Sequence, residues 1–551
     1  MTGGTRPVVP PLDDVSWPTD APGTWQGCPR EPLLQVLAGA FRAAPGHVPL
    51  IFDDGVQISN AEIEHHASRL ARLLSEVIGL GDRVIISVGN RAEYVFADLA
   101  VLANRAVAIG LSPEVGSHEA RFVVEDSGSV LAITDERSDP TFRALVSEGK
   151  LRAVLRVEGP EPHGLDAACQ DLVPLDLSAV TASLDDIIDI GYTSGTTGLP
   201  KALGGNHEST LRYIDVTMRF RYRDLPPDFR VMYPLQFHYG DPLTALYTAI
   251  HGGFTVIVMR RFSATRFWQV AKALRATAIV TIGSIPTMLL SRPETASDTD
   301  HGVLGAIALA IPPSRHGELE ARFGFPWREA YGSSESGPAL AMPAEFAADF
   351  VGTGALGIPY PDVDARLVDP DGTEVVGEGT GELELSGAIT FRGYLNNPAA
   401  TAEATHDGWL RTGDLMRRDG RGVYYFVGRR KEVIRRSGVN IAPAEVEGVL
   451  CLHPDVVDAA VVPVPDPVMG EEIKAYVELA DGASFRPGAL AEFCARHLAR
   501  QKVPRYIEWR RTPFPRTPTQ RIPKNTLRVD GVHRIDSAWD RLEGAANPDA
   551  G

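Results

Sequence analysis

Apolar positions in the first part of the chain recur at two alternating spacings. Ile63, Ala67, Leu70, Leu74 and Val77 fall at helical intervals. Ser59 and Glu62 stand ahead of them at capping-box spacing, and Gly79 supplies a stop. Val84, Ile85, Ile86, Ser87 and Val88 then form a short apolar run of the kind a buried strand shows. Helical segments alternating with such runs continue to about residue 300, which predicts an α/β fold with largely parallel sheets. After about residue 350 Gly and Pro become dense, and short alternating strands are expected over 364–368, 381–385 and 423–427. From about residue 432 the pattern turns α+β, with strands expected at 457–462, 475–479 and 506–509 and an amphipathic helix at 490–498. That last stretch, roughly 110 residues, is long enough to hold its own core.

The organisation expected from this pattern has four parts. Residues 1–30 are an irregular leader, 31–430 a large domain whose 350–430 part is β-rich, 431–535 a small α+β domain, and 536–551 a tail. Composition narrows the class. The 551 residues are 44% hydrophobic and 23% charged, ordinary values that exclude collagen-like and wholly disordered chains. The apolar stretch 97–111 is broken by Asp98, Asn104 and Arg105, so no membrane span is expected. The first residues lack the apolar block of a secretory signal. A net charge of −17 disfavours nucleic acid and anionic membrane surfaces as partners. Cys28, Cys169, Cys451 and Cys494 are scattered without a CxxC, which suggests neither zinc nor a disulfide framework and makes a reducing cytoplasm the simplest compartment.

The densest chemical signal is Tyr192-Thr-Ser-Gly-Thr-Thr-Gly-Leu-Pro-Lys201, directly after the apolar run 187–190. Gly195 and Gly198 let backbone amides approach a ligand closely. Thr193, Ser194, Thr196 and Thr197 add hydroxyls, and Lys201 a cation; together these suit a polyphosphate. The loop is not the Walker type, because Pro200 separates glycine from lysine. Gly352-Thr-Gly354-Ala-Leu-Gly357 fits a dinucleotide fingerprint by letter. The prolines at 359 and 361 forbid the helix such a fingerprint needs, so a turn is expected there.

The decapeptide resembles the signature of the adenylate-forming superfamily of acyl- and aryl-CoA synthetases, luciferases and peptide-synthetase adenylation domains. Three further motifs follow in that family's order. Tyr331-Gly332-Ser333-Ser334-Glu335 looks like its Tyr-Gly-x-Thr-Glu, and Trp409 to Asp414 like its Trp-x-x-Thr-Gly-Asp. Gly428-Arg429-Arg430-Lys431-Glu432, with Gly438 to Glu447, looks like its hinge and the segment beyond. The likeness runs over roughly residues 30 to 530. It implies an AMP-forming acid–CoA ligase that activates a small or aromatic acid with ATP and Mg²⁺ and hands the acyl group to coenzyme A.

The resemblance also implies roles. Thr193, Ser194, Gly195, Thr196, Thr197 and Lys201 would hold phosphates. Tyr331 would lie against adenine, with Gly332 beside it, and Ser334 would bond the α-phosphate. Glu335 would bind Mg²⁺, and Asp414 the ribose hydroxyls with Arg429 assisting. Lys431 would be the hinge about which a lid rotates. In the family's last motif a lysine bridges the two anions; here Arg521 takes its position and Lys524 lies three residues on. His238, Gly283, Ser284 and Ser333 would line the acyl pocket, His238 reading equally as a satisfied core histidine. Asp241 reads as a helix N-cap because Pro242 follows it. In place of the family's adenine-binding Gly-Gly-Ala-Pro stands Ala308-Leu-Ala310-Ile311-Pro312. The segment 515–524 most resembles carnitine/crotonobetaine-type and aryl-acid ligases. Other acceptors stay open: a carrier-protein phosphopantetheine, an amine, or nitrite as the activated acid. A reading of another class is a nucleotide-binding pseudoenzyme.

Overall fold

The computed structural model describes residues 29–543 apart from 159–164, 194–199, 223–225, 227, 284, 388–390, 438, 481, 517–521, 525–526 and 528–536. The helix Asn60–Leu74 carries the expected capping box: Ser59 N donates to Glu62 Oε2 at 2.8 Å, and Glu62 N to Ser59 Oγ at 3.2 Å. It ends one turn earlier than its apolar pattern. Ser75 is the C-cap, its hydroxyl bonding Arg72 O at 2.7 Å. Val77 is consequently exposed, and Gly79 is no stop but donates to the Asp82 carboxylate at 3.1 Å.

A six-stranded sheet holds Ala153–Arg156, Leu131–Thr134, Arg83–Ser87, Val107–Gly110, Ile187–Thr193 and Lys201–Asn206 in that order, parallel except for the final hairpin. A larger sheet has a parallel centre: Leu50–Phe52, Thr255–Val258, Arg230–Tyr233, Ala278–Ile282, Gly305–Leu309 and Trp327–Ser333. Between the two lie Leu33–Ala43, Ala92–Ala103, His207–Val216 and Asp241–Gly252. Leu37, Leu99, Leu211 and Leu246 of these helices share one core with Val84 and Ile86 of the first sheet and Val231 and Val256 of the second. Ile85, Ile109 and Ile190 face the other side of the smaller sheet, against Val123 and Phe142. The architecture is α/β, as the alternation predicts.

The Gly- and Pro-rich texture after residue 350 marks a change of pairing rather than a new sheet. Val363–Val368, Gly379–Gly387, Trp409–Arg418 and Tyr424–Arg429 pair antiparallel and join the large sheet through Ala355–Pro359 and Gly337–Ala341. The letter-perfect glycine motif forms a turn and then the strand Ala355–Pro359. A Cβ at Gly357 would run into the Ala341 backbone. The C-terminal region has its own sheet, including Ile434–Arg436, Val456–Asp466, Gly470–Leu479 and Tyr506–Arg510. With the helices Pro443–Leu450 and Pro487–His497 it closes a separate core around Val446, Ile473, Leu490 and Ile507. Among the described residues no helix is long and apolar enough to cross a membrane, and Cys169, Cys451 and Cys494 form no disulfide with one another.

Candidate active site

The hairpin of the smaller sheet frames the phosphate loop. Thr193 stands opposite Lys201 where the two strands part. Ser194, Gly195, Thr196 and Thr197 lie outside the described residues, as does the Thr193 side chain. The exit strand is tied to a distant segment: Leu395 N donates to Ala202 O at 2.9 Å, and Leu203 bridges Tyr394. Lys201 Nζ thereby sits 4.7 Å from the centroid of the Tyr394 ring, a cation–π distance. The Tyr394 hydroxyl donates to Glu335 Oε1 at 2.9 Å. Burial, reinforced by Glu335, pushes that phenol well above its ordinary range. One aromatic ring therefore joins the expected phosphate lysine to the expected metal carboxylate.

A second network lies alongside. Asp414, 3% exposed, faces Arg429 across paired strands and forms an ion pair with its Nε at 3.0 Å. Tyr331 OH donates to the other carboxylate oxygen at 2.7 Å. Burial lowers and Asp414 raises the Arg429 pKa, with Tyr331, Glu432 and Glu335 adding to the rise and the net shift upward. Glu335 is thus within electrostatic reach of Arg429, and the two networks share one cleft. Gly332 is required by close approach: a Cβ there would stand 2.5 Å from Gly337 O at the bulge of the Trp327–Ser333 strand. Ser333 N donates to Ser336 Oγ at 2.9 Å and holds the turn, leaving Ser334 exposed.

Two contributors have no motif of their own. Tyr394 is one. Glu329 is the other, two positions before Tyr331 on the same face of its strand. Its buried carboxylate accepts from Ala310 N at 3.1 Å and Ile311 N at 2.5 Å. Ala310 has φ +69°, a left-handed conformation unusual for a residue with a Cβ. Glu329 therefore keeps the turn of a glycine-poor adenine loop by holding its amides. Burial raises the Glu329 carboxyl to about 8, against the opposing pull of those two amides.

His238 lies in the one-turn helix Phe237–Tyr239. Both its ring nitrogens lack a hydrogen-bond partner among the described residues, and burial lowers its pKa to about 4, so it is a neutral imidazole. A satisfied core histidine would show a partner. Gly283 turns the chain after the Ala278–Ile282 strand with φ +62°, its N bonding Leu309 O at 3.0 Å; Ser284 lies outside the described residues. Asp241 is not the N-cap. Gly240, at φ +82°, takes that position and frees Asp241 to accept from Tyr213 OH. Arg221 donates to the same Tyr213 oxygen at 3.1 Å.

At the C-terminal side, Arg521 lies outside the described residues. Lys524 is held by two carboxylates, Glu447 Oε1 at 2.7 Å and Glu432 Oε2 at 3.1 Å. Lys431 is exposed and reaches Glu403 at 3.4 Å. In the basic run, Arg430 pairs with Glu382 at 2.7 Å and Arg436 with buried Glu472 at 2.8 Å.

Comparison with known proteins agrees with this arrangement. Residues 38–395 match the AMP-binding enzyme family, and 445–521 the AMP-binding enzyme C-terminal domain. The chain is 31% identical to a sulfoacetate–CoA ligase of Cupriavidus necator, over 86% of this chain and 93% of the relative. It is 27% identical to a crotonobetaine/carnitine–CoA ligase of Escherichia coli, over 85% and 93%. It superposes on o-succinylbenzoate CoA synthetase of Bacillus subtilis, solved with its acyl-adenylate intermediate, at TM-score 0.79 and 25% identity, covering 90% of this chain and 98% of that one. Its motifs, fold and relatives thus agree, and the chain belongs to the AMP-binding enzyme family as an AMP-forming acid–CoA ligase.

Proposed function

We propose that the enzyme activates a small or aromatic carboxylic acid in the cytoplasm and transfers it to coenzyme A, using the residues gathered around Tyr331 and Tyr394. The reading rests on one observation: Lys201 and Glu335 meet on Tyr394 beside the Asp414–Arg429 pair. In the first half-reaction a carboxylate oxygen bonds to the α-phosphorus of ATP and the bond to pyrophosphate breaks. Two anions must meet, so cations fixed beforehand lower the barrier. Lys201 balances charge on the phosphates, and Arg521 brings positive charge to the carboxylate and α-phosphorus. Ser334 bonds the α-phosphate. Asp414 exchanges its bond from Tyr331 for ribose hydroxyls, with Arg429 holding it in place, and Tyr331 packs against adenine.

Glu335 fits a Mg²⁺ role by its donor chemistry. One oxygen is taken by Tyr394, the other is left for a hard cation, and no cluster of three metal-binding side chains exists among the described residues. A cation there would draw its remaining ligands from phosphate and water, as Mg²⁺ does. In the second half-reaction the thiol sulfur bonds to the acyl carbon and AMP leaves. Lys431 is the point about which the terminal domain turns between the two. His238, neutral and unpartnered, borders the acyl group.

The test is a pyrophosphate-release screen of carboxylic acids, each with and without coenzyme A, with mass spectrometry of the product. Acid-dependent release and a thioester support the proposal. Absence of release over a broad panel, nitrite included, would leave a nucleotide-binding protein without this chemistry.

A further inference from the structure

Behind His238 lies a recess lined by polar groups that no step above uses. A bulge between Ile187 and Asp189 turns Asp189 toward the face of the smaller sheet that carries Ala108, Leu203 and Gly205, the face looking into the helix layer. Asp189 keeps solvent-accessible surface there despite its interior position, so it borders an open space. Its carboxylate lies over Gly205, where any Cβ would collide with it. It has no hydrogen-bond partner among the described residues. Tyr94 and Asp98, one helical turn apart on Ala92–Ala103, approach from the helix side. Tyr247 of Asp241–Gly252 donates to Asp98, which leaves the second Asp98 oxygen available.

A second, independent feature points to a ligand. Tyr94 is 2% exposed, yet its hydroxyl also has no partner among the described residues. That hydroxyl stands over Gly110 beside the His238 backbone, and it lies within the electrostatic reach of both Asp98 and Asp189. A tyrosine so nearly enclosed yet left without a protein partner, beside an unpaired carboxylate that opens onto accessible space, marks a place for an occupant. The recess adjoins the acyl site, because the Tyr94 ring stacks on Phe237, the neighbour of His238, at 5.5 Å.

We infer that this recess takes a primary amino group on the acyl part of the substrate, with N–H donors to Asp189 and Asp98 and the Tyr94 hydroxyl as a further partner. The inference rests on the assignment of His238 to the acyl pocket. Water would satisfy the hydrogen bonds but would leave two carboxyls within electrostatic reach of each other without a counter-charge. Burial raises Asp98 to about 7, Asp189 adding to the rise, and burial raises Asp189 to about 6. An ammonium supplies the charge and the donors together. A quaternary ammonium supplies charge but no N–H for Asp189.

The test uses matched acids that differ in one group. In pyrophosphate release by the full-length enzyme, 4-(aminomethyl)benzoate is set against 4-ethylbenzoate, 3-(aminomethyl)benzoate against 3-ethylbenzoate, and 4-aminobutyrate against pentanoate and its trimethylammonium analogue. At least one amino acid is expected to exceed its methyl isostere by about tenfold to a hundredfold in kcat/KM, chiefly through KM. Asp189→Asn is expected to bring that ratio close to one. Calorimetric titration of the same pairs gives a readout independent of turnover. An amine preference in binding that Asp189→Asn removes supports the recess even if no acid is turned over, in which case the ligase assignment falls alone. Equal kcat/KM and equal affinity within every pair overturns the inference, as does an unchanged ratio in Asp189→Asn. Because Asn replaces a carboxyl with no partner among the described residues, the variant is expected to melt no lower than the parent. Should it fail to fold, Gly205→Ala, which pushes a methyl against that carboxylate, must reduce the same ratio or the inference falls.

Discussion

The cleft around Tyr331 and the recess behind His238 both gather polar groups inside the fold, but they handle charge in opposite ways. In the cleft Asp414 has Arg429 and Tyr331, and Glu335 has Tyr394 with Lys201 on the same ring. In the recess Asp189 and the Tyr94 hydroxyl have no partner among the described residues. Glu329 stands between the two cases: two backbone amides but no cation. A network complete without ligand keeps its shape while waiting for one, as a reaction shared across a family requires. An incomplete one leaves its bonds for the variable part of the substrate, where discrimination is won by what would be left unpaired.

Breaking the complete network should have the largest effect. Asp414→Asn leaves the Arg429 guanidinium without its counter-charge. Pyrophosphate-release kcat/KM for ATP should fall about a hundredfold. Chemical denaturation should show a loss of about 3 kcal/mol. A variant that keeps both would mean that the pair is ornamental.

Glu329 gives the next largest effect, read through pH. Its folded pKa, about 8, lies above the ordinary glutamate value. Its contribution is therefore fully present below about pH 4.3 and is lost as pH rises toward 8. Between pH 5 and pH 8 the wild type should lose a few kcal/mol through this group. Glu329→Gln, which still accepts an amide bond, should lose markedly less. Parallel stability curves for the two proteins would show that the amides already hold the carboxylate ionised.

Tyr394→Phe sharpens the comparison at smaller scale. It removes the bond to Glu335 and keeps the ring under Lys201. A decrease of about fivefold in kcat/KM for ATP is expected, the worth of about 1 kcal/mol. A decrease as large as that of Lys201→Met would make the hydroxyl, not the ring, the join between the two charges. The smallest effect is Ala310→Gly, which relieves the left-handed backbone at φ +69°. A melting rise of a degree or two, matching less than about 1 kcal/mol, is expected. A fall would mean that the Ala310 methyl packs usefully.

The complete network was the more legible in the sequence. Lys201 ends a loop whose glycines and hydroxyls carry their own chemistry, Glu335, Asp414 and Arg429 sit in short motifs legible through their resemblance to the family's, and the α/β layering followed from the alternation of helical and strand periods. The supports were not legible. Tyr394 reaches Glu335 through a strand bridge to Leu203, a pairing across nearly two hundred positions. Glu329 reads as an ordinary strand residue until the turn at Ala310 is seen to need its oxygens. Asp189 sits in an apolar run that ought to be core, and only the bulge reveals which way it faces. The reading of Asp241 as a cap failed because a glycine at positive φ can begin a helix one residue sooner. The helix ending at Leu74 overran on paper because apolar spacing cannot register a serine that closes the last turn.

The lysine at 524 has a mechanical consequence. Glu432 is the very next residue after Lys431, so the Lys524–Glu432–Glu447 triad staples the far end of the terminal lobe to the base of its own pivot. Any swing that began at Lys431 would carry Lys524 with it, as an oar blade follows its shaft.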